Sequence, residues 1–521
     1  MINQKPRTKG AQRQCITGSS VQQFKQQLGR LTMILTVLLL SAATSLGQDE
    51  FSVTVFDGPD APKIGTAPSH RIPALVQTFD GALLAIGDYR YGLSDVGAGQ
   101  KAQIEMWYRR STDMGRTWTE AQTVYPASTV RSNWQYAMGD ASVVADRESA
   151  EVLLMCAAGS VGNGASTASN PIRIGCFRST DNGQTWDEGT ELTSQIYGLF
   201  DGDATAIFIT SGHLCQSRQI KVGSHYRVYA AVPVRTASRG NSTGVMFTDD
   251  FGQTWHLLGM DKQFPEGTVY EEGKVEEMPD GNVALMVRDD RGTQGVDYAE
   301  KNFNYFRYTD IASGEGVWST AQSGITGMAN ACNSAFIIVP AKRTSDDASV
   351  NLLLTTVPFH TRYVRDVENN YGRKGVGFYY KEVATTDDYT SGQALATGWQ
   401  RGYQVTQLCS AYADLLLLSD GFVGLLLEDN GRQGRGADGN NETEAYDLIY
   451  YHLSLTTITA GQYVIDAQGH ELGIIPQYPV HNAGHTSSTP TYNLSGRQCY
   501  KSHATLGHNI AIVQGRKVVT D

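Results

Sequence analysis

Several things are scarce in this chain, and each scarcity excludes something. Basic residues are outnumbered, 42 Lys and Arg against 53 Asp and Glu, and a formal net charge of −11 argues against a nucleic-acid partner. Seven cysteines lie far apart with no CxxC step, and a chain of 521 residues does not need covalent staples, so no disulfide pairing is assigned. The apolar run Leu31 to Ala43 is short for a full membrane span. Helical periodicity is almost missing from Phe51 to about Leu455, and proline is modest at 15. What the chain does have is glycine, 55 residues, and 40% apolar residues, which together describe a folded, turn-rich protein and not a disordered one.

The first 47 residues differ in kind from the rest. They hold six basic residues (Lys5, Arg7, Lys9, Arg13, Lys25, Arg30), no acid, then the apolar run, then small residues around Ser45 and Gly47. That order is the order of an export signal, with cleavage expected before Gln48. An uncleaved membrane anchor is the alternative. Removing the segment takes the formal charge from −11 to −17, and the mature protein is expected in the periplasm or outside the cell, away from the membrane.

One phrase recurs: Ser111-Thr-Asp113-Met-Gly115-Arg-Thr-Trp118, Ser179-Thr-Asp181-Asn-Gly183-Gln-Thr-Trp186 and Thr248-Asp-Asp250-Phe-Gly252-Gln-Thr-Trp255, the starts 68 and 69 residues apart. A weaker echo runs from Tyr308-Thr-Asp310 to Trp318. Fixed-period similarity marks an architecture built by repeating one supersecondary unit. The phrase itself is turn chemistry. A hydroxyl and an Asp bond local backbone N–H groups, Gly supplies φ > 0, and Trp drops an apolar body onto neighbouring strands. These Asp residues are therefore staples and not catalysts. Short apolar runs broken by Asp-Gly, Ser-Gly and Asn-Gly steps read as strands. A period near 70 over about 400 residues gives six units, so the expected fold is all-β, a six-bladed β-propeller of four-stranded antiparallel blades. The expected organisation is a signal segment 1–47, a propeller 48–459, and a C-terminal segment 460–521 that completes the last blade or wraps the outside.

Three Asp-Gly steps between apolar runs suggest two-residue hairpins with a definite register. On that register Arg71 faces Arg90 around Asp80-Gly81. Glu272 lies one step from facing Arg288 around Asp280-Gly281, and Tyr412 one step from facing Glu428 around Asp420-Gly421. Each pair falls seven to nine residues from its turn, beyond the usual strand length of about five or six, at the open end of its hairpin. Solvated strand ends would explain any one pair. Three hairpins ending Arg/Arg, Glu/Arg and Tyr/Glu suggest ends that converge on one mouth of the central channel.

From residue 53 to about 455 these motifs, in order, resemble the exo-sialidases (neuraminidases) of the Asp-box (BNR repeat), six-bladed type. The resemblance rests on His70-Arg71-Ile72-Pro73, Arg90 with Asp95 five residues on, the boxes, Glu272-Gly-Lys-Val275-Glu-Glu277, Arg288, Arg373, Ala411-Tyr412-Ala-Asp414-Leu, and Glu428. It implies an exported, retaining exo-α-sialidase that acts on sialylated glycans without a metal or other cofactor. Arg71, Arg288 and Arg373 would clamp the substrate carboxylate, with Arg362 the competitor for the third place. Tyr412 would be the nucleophile, Glu272 its base, and Asp95 the acid/base. Glu428 would orient Arg71, and Arg90 would line the pocket beside Asp95. Glu271 could be confused with Glu272; the place three residues before Val275 decides for Glu272. His70 stands where the family has an aromatic residue, a change expected to touch only the pocket wall.

The chemistry suits those groups. A guanidinium is a permanently charged planar fork for a carboxylate. A neutral phenol approaches a carbon that already bears a carboxylate without the repulsion an anionic nucleophile would meet, but it needs a base to take its proton. Asp95 must be protonated for one step and ionised for the next, so partial burial under substrate should raise its pKa. Asp140, ahead of the strand Ala141 to Ala145, is a further candidate substrate contact. His470, His481, His485, His503 and His508 lack a companion Cys or helical face and read as surface residues, not metal ligands. The sequons Asn241-Ser-Thr, Asn441-Glu-Thr and Asn493-Leu-Ser matter only in a host that glycosylates. Two alternatives stay open: a trans-sialidase, or a sialic-acid-binding propeller without turnover.

Overall fold

A computed structural model describes residues 49–59, 67–91, 95–97, 103–259, 264–289, 299–328, 332–360, 373–435 and 442–467, with four short strands between 491 and 520. Residues 1–47, Arg362 and the five C-terminal histidines lie outside the described residues. From Phe51 onward the chain forms six sheets arranged as blades in chain order. Each blade contains one of the strands Ser69–Gln77, Met138–Ala145, Cys215–Val222, Gly273–Glu277, Phe336–Arg343 and Ala413–Leu417. The expected all-β propeller is present, with one difference: among the described residues, four of the six sheets carry a fifth short strand. In the second blade that strand, Gly212–His213, runs parallel to Met138–Ala145.

The ring is closed by strand exchange. Phe51–Phe56 adds antiparallel to Glu442–Leu453 as the outer strand of the sixth blade, so the two ends of the repeat array share one sheet and no open inter-blade edge remains there. The last blade is thus completed from the N-terminal side. Of the C-terminal segment, Tyr463–Ile465 pairs with Phe336–Arg343 in the fifth blade, and the four strands after residue 490 form a sheet of their own.

The recurring phrase does what turn chemistry requires. Asp113 Oδ1 accepts from Thr117 N at 2.9 Å and Asp113 Oδ2 from Thr117 Oγ1 at 2.6 Å, while Ser111 Oγ accepts from Gly115 N at 2.8 Å. Asp181 and Asp250 repeat the pattern. The glycine is required for a second reason, which only the structure shows. A Cβ on Gly115, at φ 88°, would lie 2.2 Å from Tyr450 of the sixth blade; on Gly183, 2.2 Å from Leu84 of the first; on Gly252, 2.6 Å from Leu153 of the second. Gly314, in the weaker echo, stands the same way against Phe247 of the third. Each box is the joint by which one blade seats on the blade before it. The cores lie in those inter-blade layers, for example Leu153 and Met155 against Val228, Val232 and Trp255. Truncating a Trp so buried costs about 3–5 kcal/mol.

The three hairpins correct the expected register. Thr78 N donates to Ala82 O at 2.8 Å and Gly81 N to Thr78 O at 2.8 Å, with Gly81 at φ 84°. Met278 with Asn282 and Leu418 with Phe422 repeat this. Each connection is therefore a β-turn followed by a left-handed glycine, a three-residue loop and not a two-residue one, which slides every pair by one. Glu272 then faces Arg288 directly, Arg288 N donating to Glu272 O at 2.8 Å, and Tyr412 faces Glu428, Glu428 N donating to Tyr412 O at 2.9 Å. In the first hairpin a bulge between Arg71 and Ala74 moves the pairing further. Arg71 faces Asp88 there, and Ser69, not Arg71, faces Arg90. The bulge sets Ile72 at φ 58°, a conformation a β-branched residue adopts only under constraint.

Candidate active site

At the open ends of these hairpins the inner strands of opposite blades bring their polar residues together. Tyr412, 8% exposed, donates its phenol proton to Glu272 Oε2 at 3.0 Å, and Arg288 Nη1 donates to the same phenol at 3.1 Å and to Glu272 Oε2 at 2.9 Å. Glu271 is only a distant partner of Arg288, at 3.9 Å, so Glu272 is the carboxylate in the cluster. The guanidinium carbons of Arg373 and Arg71 stand 5.4 and 5.9 Å from the centre of the Tyr412 ring. Three arginines from the first, fourth and fifth blades therefore surround one phenol. Burial, and next the negative charge of Glu272, hold the Tyr412 pKa well above the phenol range, against the pull of Arg288 and Arg373. The phenol is neutral at rest, with an acceptor in place for its proton.

Glu428 is fully buried and spends its carboxylate on the site's framework. It accepts from Arg71 Nε at 2.6 Å, Ile72 N at 2.8 Å and Tyr412 N at 3.2 Å. One residue thereby holds the first guanidinium, the bulged backbone behind it, and the start of the nucleophile's strand. Arg71 also lies 5.1 Å over the ring of Tyr446, which sequence reasoning missed because any tyrosine on a strand looks alike.

Arg90, 2% exposed, reaches Asp95 Oδ1 at 2.5 Å and Asp88 Oδ2 at 2.8 Å. The Asp95 side chain is 77% exposed at the mouth. Arg90, outweighing what burial there is, with help from Arg71 and Arg373, lowers its pKa below the usual carboxylate value. Asp88 was missed, although an acid two residues before Arg90 in an otherwise apolar strand is a signal. It is fully buried, its Oδ1 accepts from Asp140 N at 3.0 Å, and burial raises its pKa to about 6 against the pull of Arg90. Asp140 sits at φ 56° in a second bulge, its pKa pushed well up by burial and by the charges of Asp88, Asp95 and Glu272. His70 does not reach the pocket. It points away from Arg71 and stacks on Phe56 at 4.5 Å and near Tyr89 at 5.1 Å, so its effect is on packing.

Comparison with known proteins points to the same fold. Residues 98–300 match the family model of a BNR repeat-like domain. A sialidase of Paraclostridium sordellii is 25% identical over 424 residues, covering 77% of this chain and 89% of that one. A sialidase of Micromonospora viridifaciens is 31% identical over 235 residues, 43% of this chain and 33% of that one. In structure, a Hadza microbial sialidase superposes with a TM-score of 0.54 at 21% identity over 75% of this chain and 66% of its own. The intramolecular trans-sialidase of Ruminococcus gnavus gives 0.54 at 15% over 78% and 98%. In sequence pattern and in fold the chain is similar to the BNR-repeat, sialidase-like six-bladed propellers.

Within this sialidase-like propeller, every candidate residue among those described falls in one neighbourhood: Arg71, Arg288, Arg373, Tyr412, Glu272 and Glu428 as a packed cluster, and Arg90, Asp95 and Asp140 beside it. No group of three or more metal-ligating side chains occurs among the described residues. No described helix is long and apolar enough to cross a membrane. The five described cysteines, Cys156, Cys176, Cys215, Cys332 and Cys409, are buried.

Proposed function

We propose that this protein is an exported, retaining exo-α-sialidase that removes terminal sialic acid from glycoconjugates. The observation that carries the reading is the phenol of Tyr412, held between Glu272 Oε2 and Arg288 Nη1 and ringed by Arg71 and Arg373. Three guanidiniums converging on one point have an evident use for a ligand carboxylate and none for a neutral sugar.

In this mechanism the arginines grip the carboxylate and present the anomeric carbon to Tyr412 Oη. The new oxygen–carbon bond forms as the phenol proton passes to Glu272 and the glycosidic bond breaks, its oxygen taking a proton from Asp95. Water then attacks the same carbon, giving its proton to Asp95, while Tyr412 leaves and recovers its proton from Glu272. Two displacements return the original anomer. The lowered pKa of Asp95 in the empty site fits this cycle. A substrate carboxylate neutralises Arg71 and Arg373 and covers the exposed Asp95, so the acid gains its proton when it has work to do. Asp140, its pKa raised by burial and by the charge of Asp88, faces the pocket as a polar contact for a sugar hydroxyl.

The test is turnover of a fluorogenic α-sialoside by the mature chain beside Tyr412→Phe, with proton NMR of the first-formed sugar. The expected result is hydrolysis to the α-anomer by the wild type and loss of turnover in the variant. Equal rates would remove Tyr412 as nucleophile; no turnover by either would favour a sialic-acid-binding propeller. The same assay with lactose present separates hydrolysis from transfer.

A further inference from the structure

The 3.0 Å between Tyr412 Oη and Glu272 Oε2 spans two blades that are not neighbours, the sixth and the fourth. Each hairpin ladder fixes its own residue, Glu272 against Arg288 and Tyr412 against Glu428, but neither ladder reaches across the fifth blade that lies between. Proton transfer tolerates little slack, since a hydrogen bond drawn out to about 3.6 Å is no longer one. A tie from outside both blades is needed to set the separation.

The segment Thr210-Ser-Gly-His213 is placed to supply it. It leads into the third blade, and Gly212–His213 pairs with Met138–Ala145 of the second, Leu214 N donating to Val143 O at 2.8 Å. From there it bonds outward. Thr210 Oγ1 donates at 2.9 Å to the carbonyl of Gly273, the residue next to Glu272. Ser211 O accepts from the Lys274 ammonium and from Asn333 Nδ2 at 2.9 Å, and Ser211 Oγ accepts from the same Nδ2 at 2.7 Å. His213 Nδ1 lies 2.6 Å from Oδ1 of Asp414, two residues beyond Tyr412. The Asp414 carboxylate already accepts from Leu75 N at 2.9 Å and Leu415 N at 3.1 Å, so the imidazole is the donor to it. Gly212 stands at φ 98°, and a Cβ on it would strike Lys274 Nζ and Asp414. Thr210, Ser211, Lys274, Asn333 and Asp414 are all buried. One short turn thus grips the strand of the base at one end and the strand of the nucleophile at the other. Apolar packing between blades is non-directional and leaves position loose; these bonds are directional and do not.

We infer that His213 and Thr210 are positioning residues for the reacting pair. His213, through Asp414, sets the strand of Tyr412; Thr210, through Gly273, sets the strand of Glu272; and the second blade thereby holds phenol and carboxylate at bonding distance. The inference rests on the reading of Tyr412 and Glu272 as nucleophile and base. The arginines stand on other strands, Arg71 on Ser69–Gln77, Arg288 on Val283–Asp289 and Arg373 ahead of Val376–Val383, so the grip on a ligand carboxylate should survive loss of the tie.

The experiment compares His213→Leu, which fills the space without a donor, with His213→Asn, whose amide nitrogen can stand where Nδ1 does. The readouts are steady-state turnover of a fluorogenic α-sialoside and calorimetric binding of a 2,3-unsaturated sialic acid. His213→Leu should lower kcat and kcat/KM together by about 10- to 100-fold, the cost of roughly an ångström of misplacement, with KM and the Kd of the unsaturated acid within about threefold of wild type. His213→Asn should recover most of the loss. A merely structural role would lower the melting temperature without that split. A folded His213→Leu with kcat within about threefold of wild type, a Kd that worsens in step with kcat, or an Asn variant no better than Leu overturns the inference. Failure of the wild type to turn over a sialoside would instead overturn the functional reading. Should His213→Leu not fold, Thr210→Val decides, since it keeps the shape and removes only the hydroxyl. The same split, recovered in Thr210→Ser, is expected, and wild-type kcat in Thr210→Val refutes the proposal.

Discussion

Replacing Glu428 by Gln keeps the shape of the side chain and removes its charge, which makes it a sharp probe of how the site is held. In the native protein the carboxylate, fully buried, faces only donors: Arg71 Nε and Nη2 at 2.6 and 3.3 Å, Ile72 N at 2.8 Å and Tyr412 N at 3.2 Å. The amide of Gln can keep its oxygen towards Arg71 Nε and Ile72 N, but its NH2 then opposes Tyr412 N and Arg71 Nη2, donor against donor. Breaking one side of a buried ion pair costs about 3–5 kcal/mol, and the Arg71 side chain, 12% exposed, has little water to turn to. Part of that loss reaches catalysis, because Ile72 at φ 58° stores roughly 1–3 kcal/mol of backbone strain that its bond to Glu428 helps to hold. Release of the bulge re-aims Arg71. The expected outcome is a stability loss of about 3 kcal/mol or more in denaturant titration and a fall of kcat/KM of at least about 100-fold, since 1.36 kcal/mol is a decade. A carboxylate ligand supplies the missing negative charge, so it should raise the melting temperature of the variant more than that of the wild type. A variant with wild-type stability and kcat/KM within about threefold would refute this account of how Arg71 is positioned.

Three further outcomes are expected. Arg90→Met takes away the main cause of the low Asp95 pKa. The carboxylate is then less favoured, and the alkaline limb of the kcat profile should move up; an unmoved limb would mean Asp95 is not the acid. His70, half-buried and held at about 3 against 6.5 unfolded by desolvation and by Arg109, takes up a proton on unfolding between those values, so its contribution to stability is full above about pH 6.5 and is lost progressively as pH falls towards about 3. In His70→Phe that loss should vanish, worth about 2 kcal/mol near pH 5 in urea unfolding, and identical pH dependence in both proteins would count against it. Gly183→Ala, with Leu84 2.2 Å from the new methyl and φ at 74°, should cost about 2–5 kcal/mol in thermal or urea unfolding while kcat/KM of the folded protein stays within about twofold, since the box is an inter-blade joint remote from the chemistry.

Much of this architecture was legible in the residues alone. The boxes announced their turns because Ser, Asp and Gly act on backbone groups two to four residues away, and such chemistry does not depend on the rest of the fold. The open ends of the three hairpins were located correctly for the same reason. The register was not: Asp-Gly suits a two-residue turn and also a three-residue loop with glycine in the left-handed place, and the two differ by one residue in every pair. The bulge at Ile72 left no local trace, since a β-branched residue disfavours φ > 0, and Asp140 tolerates that conformation without signalling it. The exposure of Asp95 and the reach of Arg90 to it were not legible, because both are properties of the assembled mouth.

The amino-acid sequence by itself determined the repeat, the strands, the turns and the inventory of groups that carry the chemistry. Only the tertiary structure decided which of them meet. It set Glu272 against Arg288 and Tyr412, hung Arg71 on Glu428, and placed Asp88 beneath Asp140. The reason is one of range. Backbone preference is settled within a few residues, whereas contacts between blades hundreds of residues apart depend on bulges, loop lengths and burial that add up over the whole ring, and on electrostatic energies that exist only once water has been excluded.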